Sequence, residues 1–270
     1  MKIGFIGLGN MGAALAQAVS QQADTQLLLS NHNPAKAQAL QTQLGGQLLS
    51  NGQIAEQAEV IFLGVKPHLI QTVLSGLQDQ ISQNPSAIWI SMAAGVTLDS
   101  LAAFVSADKL IRIMPNTPVA IGQGMTTYSL VNQNLAPLLE QILEQSGKVQ
   151  QVPESLIDAA TAIAGCGPAF VYQMIESLTD AGVQNGLTAQ DAKVLAAQTL
   201  AGTAQMVLTS DKHPAQLRQE VTSPGGSTIA GVVALEKEGF RYAIIKAVAA
   251  ALKKTRKLGK KIEDSKKRDF

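Results

Sequence analysis

The 270-residue sequence contains a single cysteine, Cys166, so no disulfide can form within the chain. Its three histidines, His32, His68 and His213, are scattered, and no His/Cys/carboxylate cluster has the spacing of metal ligands. We therefore expect no structural or catalytic metal. The sparse cysteine usage is typical of a reducing compartment and predicts a cytoplasmic protein.

Aromatic residues are also scarce, at 4% of the chain, and no run approaches the roughly 18 uninterrupted apolar residues that indicate a transmembrane helix. The N-terminal apolar stretch is interrupted by Gly4, Gly7, Gly9 and Gly12, which argues against a secretory signal. Apolar residues nevertheless make up 46% of the sequence, which excludes a disordered chain. A core of small aliphatic side chains favours helices packed closely on a sheet or on one another.

Charge is nearly balanced, with a net value of +1, but the segment 253–270 holds nine Lys/Arg against three Asp/Glu. A solvated helix end explains this tail, since cations are favourable at a helix C-terminus. Binding to nucleic acid or to a membrane is the alternative. Aromatic residues on which bases could stack do not accompany the basic residues, which argues against nucleic acid. We expect neither partner.

Strands and helices alternate through the first half of the chain. Short apolar runs predict strands, and helical spacing or a helix-starting proline follows most of them. The predicted strands are 2–7, 27–30, 60–65, 87–92 and 110–114, with helices after Gly9, from Pro34, and from Pro67 to about Gln83. This alternation predicts an α/β fold with a Rossmann-type doubly wound parallel sheet in residues 1–152.

From Pro153 onward strand-like runs stop, which predicts an all-α domain over residues 153–270. Thr188 and Asp191 resemble the start of a capped helix that reaches about Leu208. The last helix carries a wide apolar stripe that includes Phe240 and Ile244. Such stripes often pack against a second subunit, so we expect a homodimer or a higher homo-oligomer.

The motif G-x-G-x-x-G is met by Gly7, Gly9 and Gly12, between an N-terminal strand and a helix. The first glycine permits the tight turn, the second the close approach of a pyrophosphate, and the third the packing of helix on strand. A glycine-rich turn without a ligand would show the same letters. The position at the head of an alternating domain favours the dinucleotide site.

The residues after the second strand decide between the two nicotinamide cofactors. NAD-preferring sites usually place Asp or Glu there to bind the ribose 2′-hydroxyl. This chain has Asn31, His32 and Asn33 instead, with Lys36 close behind. An anionic 2′-phosphate is tolerated by these groups, so we predict NADPH, with NADH as the alternative. Asn33 is also a candidate helix N-cap.

Several separated stretches resemble the pyrroline-5-carboxylate reductase family over essentially the whole chain. They are Gly7–Gly12, Val65–Pro67, Ser91–Gly95, Met114–Pro118, Gly165–Phe170, His213-Pro214 with Ser223–Thr228, and Glu236–Arg241. The resemblance implies NADPH-dependent reduction of 1-pyrroline-5-carboxylate to L-proline, by a Rossmann domain and a dimerising helical domain with each active site near the interface. Two departures are Cys166, where the family usually has Ser, and Asp211, where some members have Glu. We interpret Cys166 as a small packed residue.

Site residues follow from the glycine motif, from the second strand and from the resemblance. The predicted cofactor-binding residues are Ile6, Gly7, Leu8, Gly9, Asn10, Met11, Gly12, Asn31, His32, Asn33, Asn51, Gly64, Val65, Lys66, Pro67, Met92, Ala93 and Ala94. The predicted substrate-binding residues are Asp211, Gly226, Ser227 and Thr228, with Thr228 also catalytic. Proline and glycines before the apolar stretch that starts at Ile229 present free N–H groups to a carboxylate, and Thr228 would hydrogen-bond the ring nitrogen. A helix start capped by Ser227 or Thr228 explains the same residues without a ligand.

Two other functions remain open on the sequence. A β-hydroxyacid dehydrogenase also joins a Rossmann domain to a helical one but usually relies on a lysine, and Lys193 is the only lysine between Pro153 and Leu208. A nucleotide-sensing protein without turnover is the second alternative. A cyclic imine can arrive already protonated, so the absence of an evident His/carboxylate pair is compatible with its reduction. The same absence argues against a carbonyl reductase.

Overall fold

The computed structural model describes residues 1–266, and the surroundings of side chains up to residue 257. The chain forms two compact units. The first comprises residues 1–166 together with the chain from residue 251 onward, and the second comprises residues 167–250. The domain boundary predicted after Val152 stays a prediction.

The first unit is built on one eight-stranded sheet in the order β3-β2-β1-β4-β5-β6-β7-β8. The strands are β1 (Lys2–Ile6), β2 (Gln26–Ser30), β3 (Gln47–Leu48), β4 (Val60–Leu63), β5 (Ile88–Ser91), β6 (Leu110–Met114), β7 (Gly124–Leu130) and β8 (Gly147–Gln151). All neighbours are parallel except β6 and β7. The reversal of order at β1 and β4 is the doubly wound arrangement predicted from the sequence.

Helices cover both faces of this sheet. They are α1 (Asn10–Val19), α2 (Pro34–Leu44), α3 (Asn51–Gln57), α4 (Ile70–Ser75), α5 (Gln78–Gln83), α6 (Leu98–Ala102), α7 (Ala136–Leu143) and α8 (Ile157–Ala160). Val60 and Phe62 belong to the hydrophobic cluster on one face, while Ile61 and Leu63 belong to the cluster on the other. A strand that is buried on both faces needs apolar residues at every position, which explains the continuous apolar run of β4.

The strands β3, β7 and β8 were not predicted from the sequence, and two further features of this unit differ from the prediction. The helix predicted from Pro67 to about Gln83 is a 3₁₀ turn at Pro67–Leu69 followed by the separate helices α4 and α5. Gly76 and Leu77 separate them, and glycine stabilises a helix interior poorly. In addition, β7 runs antiparallel to β6, because the connection between them holds only a 3₁₀ turn at Thr117–Ile121, too short for a parallel crossover.

A buried arginine anchors the helical stretch after β8 to the sheet. Arg112 on β6 is 3% exposed and donates from Nη1 to Glu154 Oε1 over 3.0 Å. The same carboxylate oxygen accepts from the backbone N–H of Leu98 over 2.7 Å, and Asp158 Oδ1 lies 3.7 Å from Arg112 Nη2. The buried positive charge is therefore paired with two carboxylates, as a charge in a protein interior requires.

The second unit is helical. After a π-helical turn at Thr161–Gly165 come α9 (Gly167–Gln184), α10 (Ala189–Leu208), α11 (Pro214–Glu220), α12 (Ser227–Lys237) and α13 (Phe240–Lys266), whose part from Ala251 belongs to the first unit. The predicted cap at Thr188 is confirmed, since its Oγ1 accepts from Asp191 N over 3.1 Å. Gly182 of α9 packs so closely on Ala192 of α10 that a Cβ at position 182 would lie 2.7 Å from that methyl group. The basic tail predicted at 253–270 lies largely outside the residues whose side chains are described.

Many apolar side chains of the second unit are exposed in the single chain, among them Tyr242 and Ile245, which are 63% and 64% exposed. One helical run in the described part of the chain, Glu154–Gln184, is long and apolar enough by length and composition to cross a membrane. The criterion of about 18 uninterrupted apolar residues does not find this run. Such a run is also what a helix needs when it packs on another protein surface.

Candidate active site

The glycine turn after β1 closes tightly on itself. Gly7 has φ +97°, a conformation that favours glycine, and a Cβ at Gly12 or Gly64 would collide with the Gly7 carbonyl oxygen. A Cβ at Gly9, in contrast, would meet nothing within 4 Å. Gly9 is the N-cap of α1, so the open space lies where the helix presents its first N–H groups. The turn therefore holds room for an anion.

A cleft of ≈ 900 Å³ adjoins this turn. It lies at the carboxyl ends of β1, β2 and β4, the edge where parallel α/β sheets bind ligands. Its lining consists of Ile6, Gly7, Leu8, Gly9, Ser30, Asn31, His32, Asn33, Lys36, Ser50, Asn51, Gly52, Gly64, Val65, Lys66, His68, Leu69, Thr72 and Val73. No residue of this lining carries a carboxylate, while Lys36 and Lys66 both carry a positive charge, so the cleft suits an anionic ligand.

The structure brings most of the predicted cofactor-binding residues into this cleft. Those in the lining are Ile6, Gly7, Leu8, Gly9, Asn31, His32, Asn33, Asn51, Gly64, Val65 and Lys66. The predicted residues outside the lining are Asn10, Met11, Gly12, Pro67, Met92, Ala93 and Ala94. The first three belong to the first turn of α1. The last three follow β5, which is the next strand along the same edge of the sheet. Their role in binding stays a prediction.

Side chains at the end of β2 hold the cleft together by hydrogen bonds. Ser30 Oγ donates to Asn51 Oδ1 over 2.6 Å, and Asn31 Oδ1 accepts from the backbone N–H of Leu8 over 3.0 Å. The prediction that Asn33 caps a helix is confirmed, because its Oδ1 accepts from Ala35 N at the start of α2. The polar groups after β2 thus shape the cleft as well as line it.

Sequence reasoning missed part of the lining. Ser50, Gly52, His68, Leu69, Thr72 and Val73 were not predicted to lie there. His68 follows Pro67 directly in the 3₁₀ turn beside the cleft, and its side chain is exposed. The helical spacing of Leu69, Thr72 and Val73 after β4 was the available signal, because it places these three residues on one side of the chain.

The predicted substrate residues lie in the second unit, at the start of α12 and before α11. Gly226 is the N-cap of α12, with Ser227 and Thr228 as its first two residues, both exposed. The interpretation of Ser227 or Thr228 as the cap is therefore wrong, because the helix begins one residue earlier. Glycine offers no capping side chain, so the N–H groups of the first turn are available to a ligand. Asp211 is exposed in the turn between α10 and α11.

The remaining candidates for a role in the site are metal ligands, His213 and Cys166. Across the described residues, no three His, Cys, Asp or Glu side chains lie close enough together to hold a metal ion. His213 is the N-cap of α11, and its Nδ1 accepts from Ala215 N over 3.2 Å. Cys166 is a free thiol of intermediate exposure.

Fold and cleft together define an NAD(P)-dependent oxidoreductase with a Rossmann-type domain. The sequence is 37% identical to a pyrroline-5-carboxylate reductase of Pisum sativum over 262 residues, which cover 95% of each chain, and 38% identical to that of Escherichia coli over 268 residues, covering 96% of this chain and 98% of the relative. The chain therefore belongs to the pyrroline-5-carboxylate reductase family.

Family models and solved structures agree with this assignment. Residues 154–258 match the model for pyrroline-5-carboxylate reductase dimerisation, and residues 2–95 match that for NADP oxidoreductase, coenzyme F420-dependent. A Plasmodium falciparum pyrroline carboxylate reductase with NADP bound aligns with a TM-score of 0.82 at 34% identity, covering 96% of this chain and 98% of that one. A pyrroline-5-carboxylate reductase from Coxiella burnetii aligns with a TM-score of 0.86 at 34% identity, covering 95% and 97%.

Proposed function

We propose that this protein reduces 1-pyrroline-5-carboxylate to L-proline with NADPH, the last step of proline biosynthesis. The observation that carries the proposal is that this chain, a member of the family, holds two anion receptors. One is the open glycine turn at Gly9 beside a cleft without carboxylates, and the other is the uncapped start of α12 at Gly226. The first suits a dinucleotide phosphate and the second suits the carboxylate of a small imino acid.

The residues of the cleft fit the cofactor. Gly9 leaves the space that a pyrophosphate needs at the N-terminus of α1, where backbone N–H groups and the helix dipole favour negative charge. Lys36, in the first turn of α2, lines the cleft beside His32 and Asn33 and would pair with a 2′-phosphate. When bound, NADPH supplies the hydride for the reaction.

Thr228 and its neighbours are proposed to hold the substrate. The N–H groups of Ser227, Thr228 and Ile229 lie in the first turn of α12 and would donate to the substrate carboxylate. The Thr228 hydroxyl would hydrogen-bond the ring nitrogen and so orient the C=N bond. The imine carbon then gains a hydride and the nitrogen keeps or gains one proton, which converts the cyclic imine into the secondary amine of proline.

A dedicated general acid is not required for this reduction. The cyclic imine is basic enough to arrive protonated, and protonation already makes its carbon electrophilic. The protein's tasks are therefore to bind, to orient and to exclude water, and hydrogen-bond donors at a helix start meet the first two. The proposed role of Lys66 is to line the cofactor cleft, which is supported by its position among the residues around that cleft.

We propose that the second unit forms a homodimer in the cytoplasm. The dimerisation model begins at residue 154, so it includes the whole run Glu154–Gln184 that is apolar enough for a membrane. Contact with a second copy of the chain would bury this run as well as the exposed apolar side chains Ile244 and Ile245 of α13. Light scattering after size exclusion tests this: a dimer or larger species is expected without detergent, and a monomer at micromolar concentration would contradict it.

The reaction is tested by following NADPH oxidation at 340 nm. The assay compares 1-pyrroline-5-carboxylate with a panel of 3-hydroxyacids and their keto forms. Turnover confined to the cyclic imine is expected. Turnover on the hydroxyacids with NADP⁺ would favour the dehydrogenase alternative, in which Lys193 would have to be essential. NADPH binding without turnover on any compound would favour a nucleotide sensor.

A further inference from the structure

A buried asparagine bridges two backbone segments on the catalytic edge of the sheet. Asn116 follows β6 and is 8% exposed. Its Oδ1 accepts from the backbone N–H of Met125 over 2.8 Å, and its Nδ2 donates to the carbonyl oxygen of Ala164 over 3.1 Å. Both ends of the amide are therefore bound to backbone groups, one 9 and the other 48 positions further along the sequence.

The carbonyl that Asn116 binds belongs to an unusual helical turn. Ala164 lies in the π-helical turn Thr161–Gly165, where the N–H of Cys166 reaches back five residues to Thr161 O over 2.9 Å. In a regular α-helix the Ala164 carbonyl would accept from the N–H of residue 168. That residue is Pro168, which has no N–H to donate. The Asn116 amide takes the place of the missing backbone donor.

The position of this bridge connects it to the reaction. Because β6 is parallel to β5, its carboxyl end lies at the same edge of the sheet as Gly7–Gly9 and Met92–Ala94. The 3₁₀ turn Thr117–Ile121, which begins directly after Asn116, packs against the cofactor helix α1. A shift of the Asn116 loop would therefore disturb the elements that present the cofactor.

We propose that Asn116 is a positioning residue for the hydride transfer: its side-chain amide replaces the N–H that Pro168 lacks and thereby fixes the π-helical turn against the catalytic edge of the sheet. The inference rests on the proposed reduction of 1-pyrroline-5-carboxylate. Asn116 acts on the geometry of the site, because both ends of its amide are bound to backbone groups.

The test is a double-mutant cycle. Asn116→Ala is expected to lower kcat about tenfold, the effect of one lost hydrogen bond, while the Kd of NADPH changes less than about twofold. Pro168→Ala returns a backbone N–H to position 168. In that background the loss of kcat on Asn116→Ala is expected to be at least about threefold smaller, since the Ala164 carbonyl then has another donor.

Asn84→Ala is the matched control. Asn84 Nδ2 also bridges backbone groups, the carbonyls of Ala55 and Ala58 at 3.0 and 2.9 Å, but it precedes β5 and so lies at the opposite edge of the sheet. Its loss is expected to lower Tm and leave kcat unchanged. If Asn116→Ala does not fold, Asn116→Asp replaces it, since a carboxylate keeps the acceptor for Met125 N–H and loses the donor.

Three results would overturn the inference. They are an unchanged kcat in Asn116→Ala, an equal loss with and without Pro168, or an equal loss of kcat in Asn84→Ala. A wild-type enzyme that does not turn over 1-pyrroline-5-carboxylate would contradict the proposed function and this inference together. An active wild type with an unaffected Asn116→Ala variant would contradict this inference alone.

Discussion

The side-chain oxygen of Asn31 accepts a hydrogen bond from the backbone N–H of Leu8 over 3.0 Å, which ties the end of β2 to the glycine turn. The amide nitrogen of Asn31 donates to the Asn33 carbonyl oxygen, also over 3.0 Å. Both ends of this side chain are engaged with the backbone. Asn31 was predicted as a cofactor ligand, and the structure indicates that it also shapes the turn that the cofactor would occupy.

Replacing Asn31 tests whether its side chain supports the glycine turn. Asn31→Ala removes the bond to Leu8 and is expected to raise the Kd of NADPH roughly five- to tenfold, since a hydrogen bond contributes about 1 kcal/mol. Fluorescence titration with NADPH measures the change. Asn132→Ala is the control, because Asn132 also bonds local backbone, at Asn134 N, but does not line the cleft. An unchanged Kd in Asn31→Ala would show that the turn keeps its shape without this bond.

Lys36 is expected to set the preference for NADPH. Lys36→Glu reverses the charge at the cleft beside His32, so kcat/KM with NADPH should fall at least about tenfold, while kcat/KM with NADH should change much less. Steady-state kinetics with both cofactors measure the ratio. Lys109→Glu makes the same change in the first unit outside the cleft lining and should leave the ratio as it is. Equal losses with NADPH and NADH in Lys36→Glu would contradict a 2′-phosphate contact.

Thr228 is expected to contribute to turnover through its hydroxyl. Thr228→Ala should lower kcat/KM for 1-pyrroline-5-carboxylate roughly tenfold or more, because one positioned hydrogen bond is worth on the order of 1–3 kcal/mol. The Kd of NADPH should not change. Thr42→Ala removes a hydroxyl that donates to the Gln38 carbonyl within α2, and its kinetics should match the wild type. Unchanged kinetics in Thr228→Ala would remove this residue from the mechanism.

The ionisation of Tyr128 is expected to lower the stability of the fold at alkaline pH. Burial of its ring, together with the hydrogen bond from its hydroxyl to Glu140 Oε1 at 2.7 Å, raises the pKa of Tyr128 from 10.0 to about 12. The neutral phenol is thus favoured in the folded state. Its stabilising contribution is fully present below pH 10 and is lost as the pH rises through 12.

Tyr128→Phe isolates this titration. The difference in absorbance at 295 nm between wild type and variant should show one phenol that ionises near pH 12 in the folded protein. Urea unfolding between pH 9 and 12 should show a smaller loss of stability for the variant than for the wild type. Ionisation of the missing phenol near pH 10 would contradict the buried pair with Glu140.

Much of the first unit was predictable because its signals are local. The strands β1, β2, β4, β5 and β6 follow from short apolar runs, and those runs are continuous because both faces of the sheet are covered. The strands β3, β7 and β8 were missed. In β7, residues Thr126, Thr127 and Ser129 are polar yet buried, so its burial depends on neighbours that the sequence does not show.

The site was predictable to the same extent. The spacing of Gly7, Gly9 and Gly12 indicates a tight turn that binds a dinucleotide, and the missing carboxylate after β2 indicated the cofactor. The spacing of Leu69 and Thr72 puts them on one side of the chain, but the sequence does not show that this side faces the cleft. That depends on where the 3₁₀ turn and α4 lie beside β4, and the same holds for His68. Position in space, and not residue type, brings these side chains to the ligand cleft.

The sequence by itself determined the α/β class, the dinucleotide turn and the family, since glycine conformation, apolar periodicity and short motifs are properties of neighbouring residues. Only the structure decided that Gly226 is the N-cap of α12, that Asn31 supports the glycine turn, and that Asn116 supplies the donor which Pro168 lacks. A hydrogen bond between residues 48 positions apart needs the folded chain to bring donor and acceptor within about 3 Å.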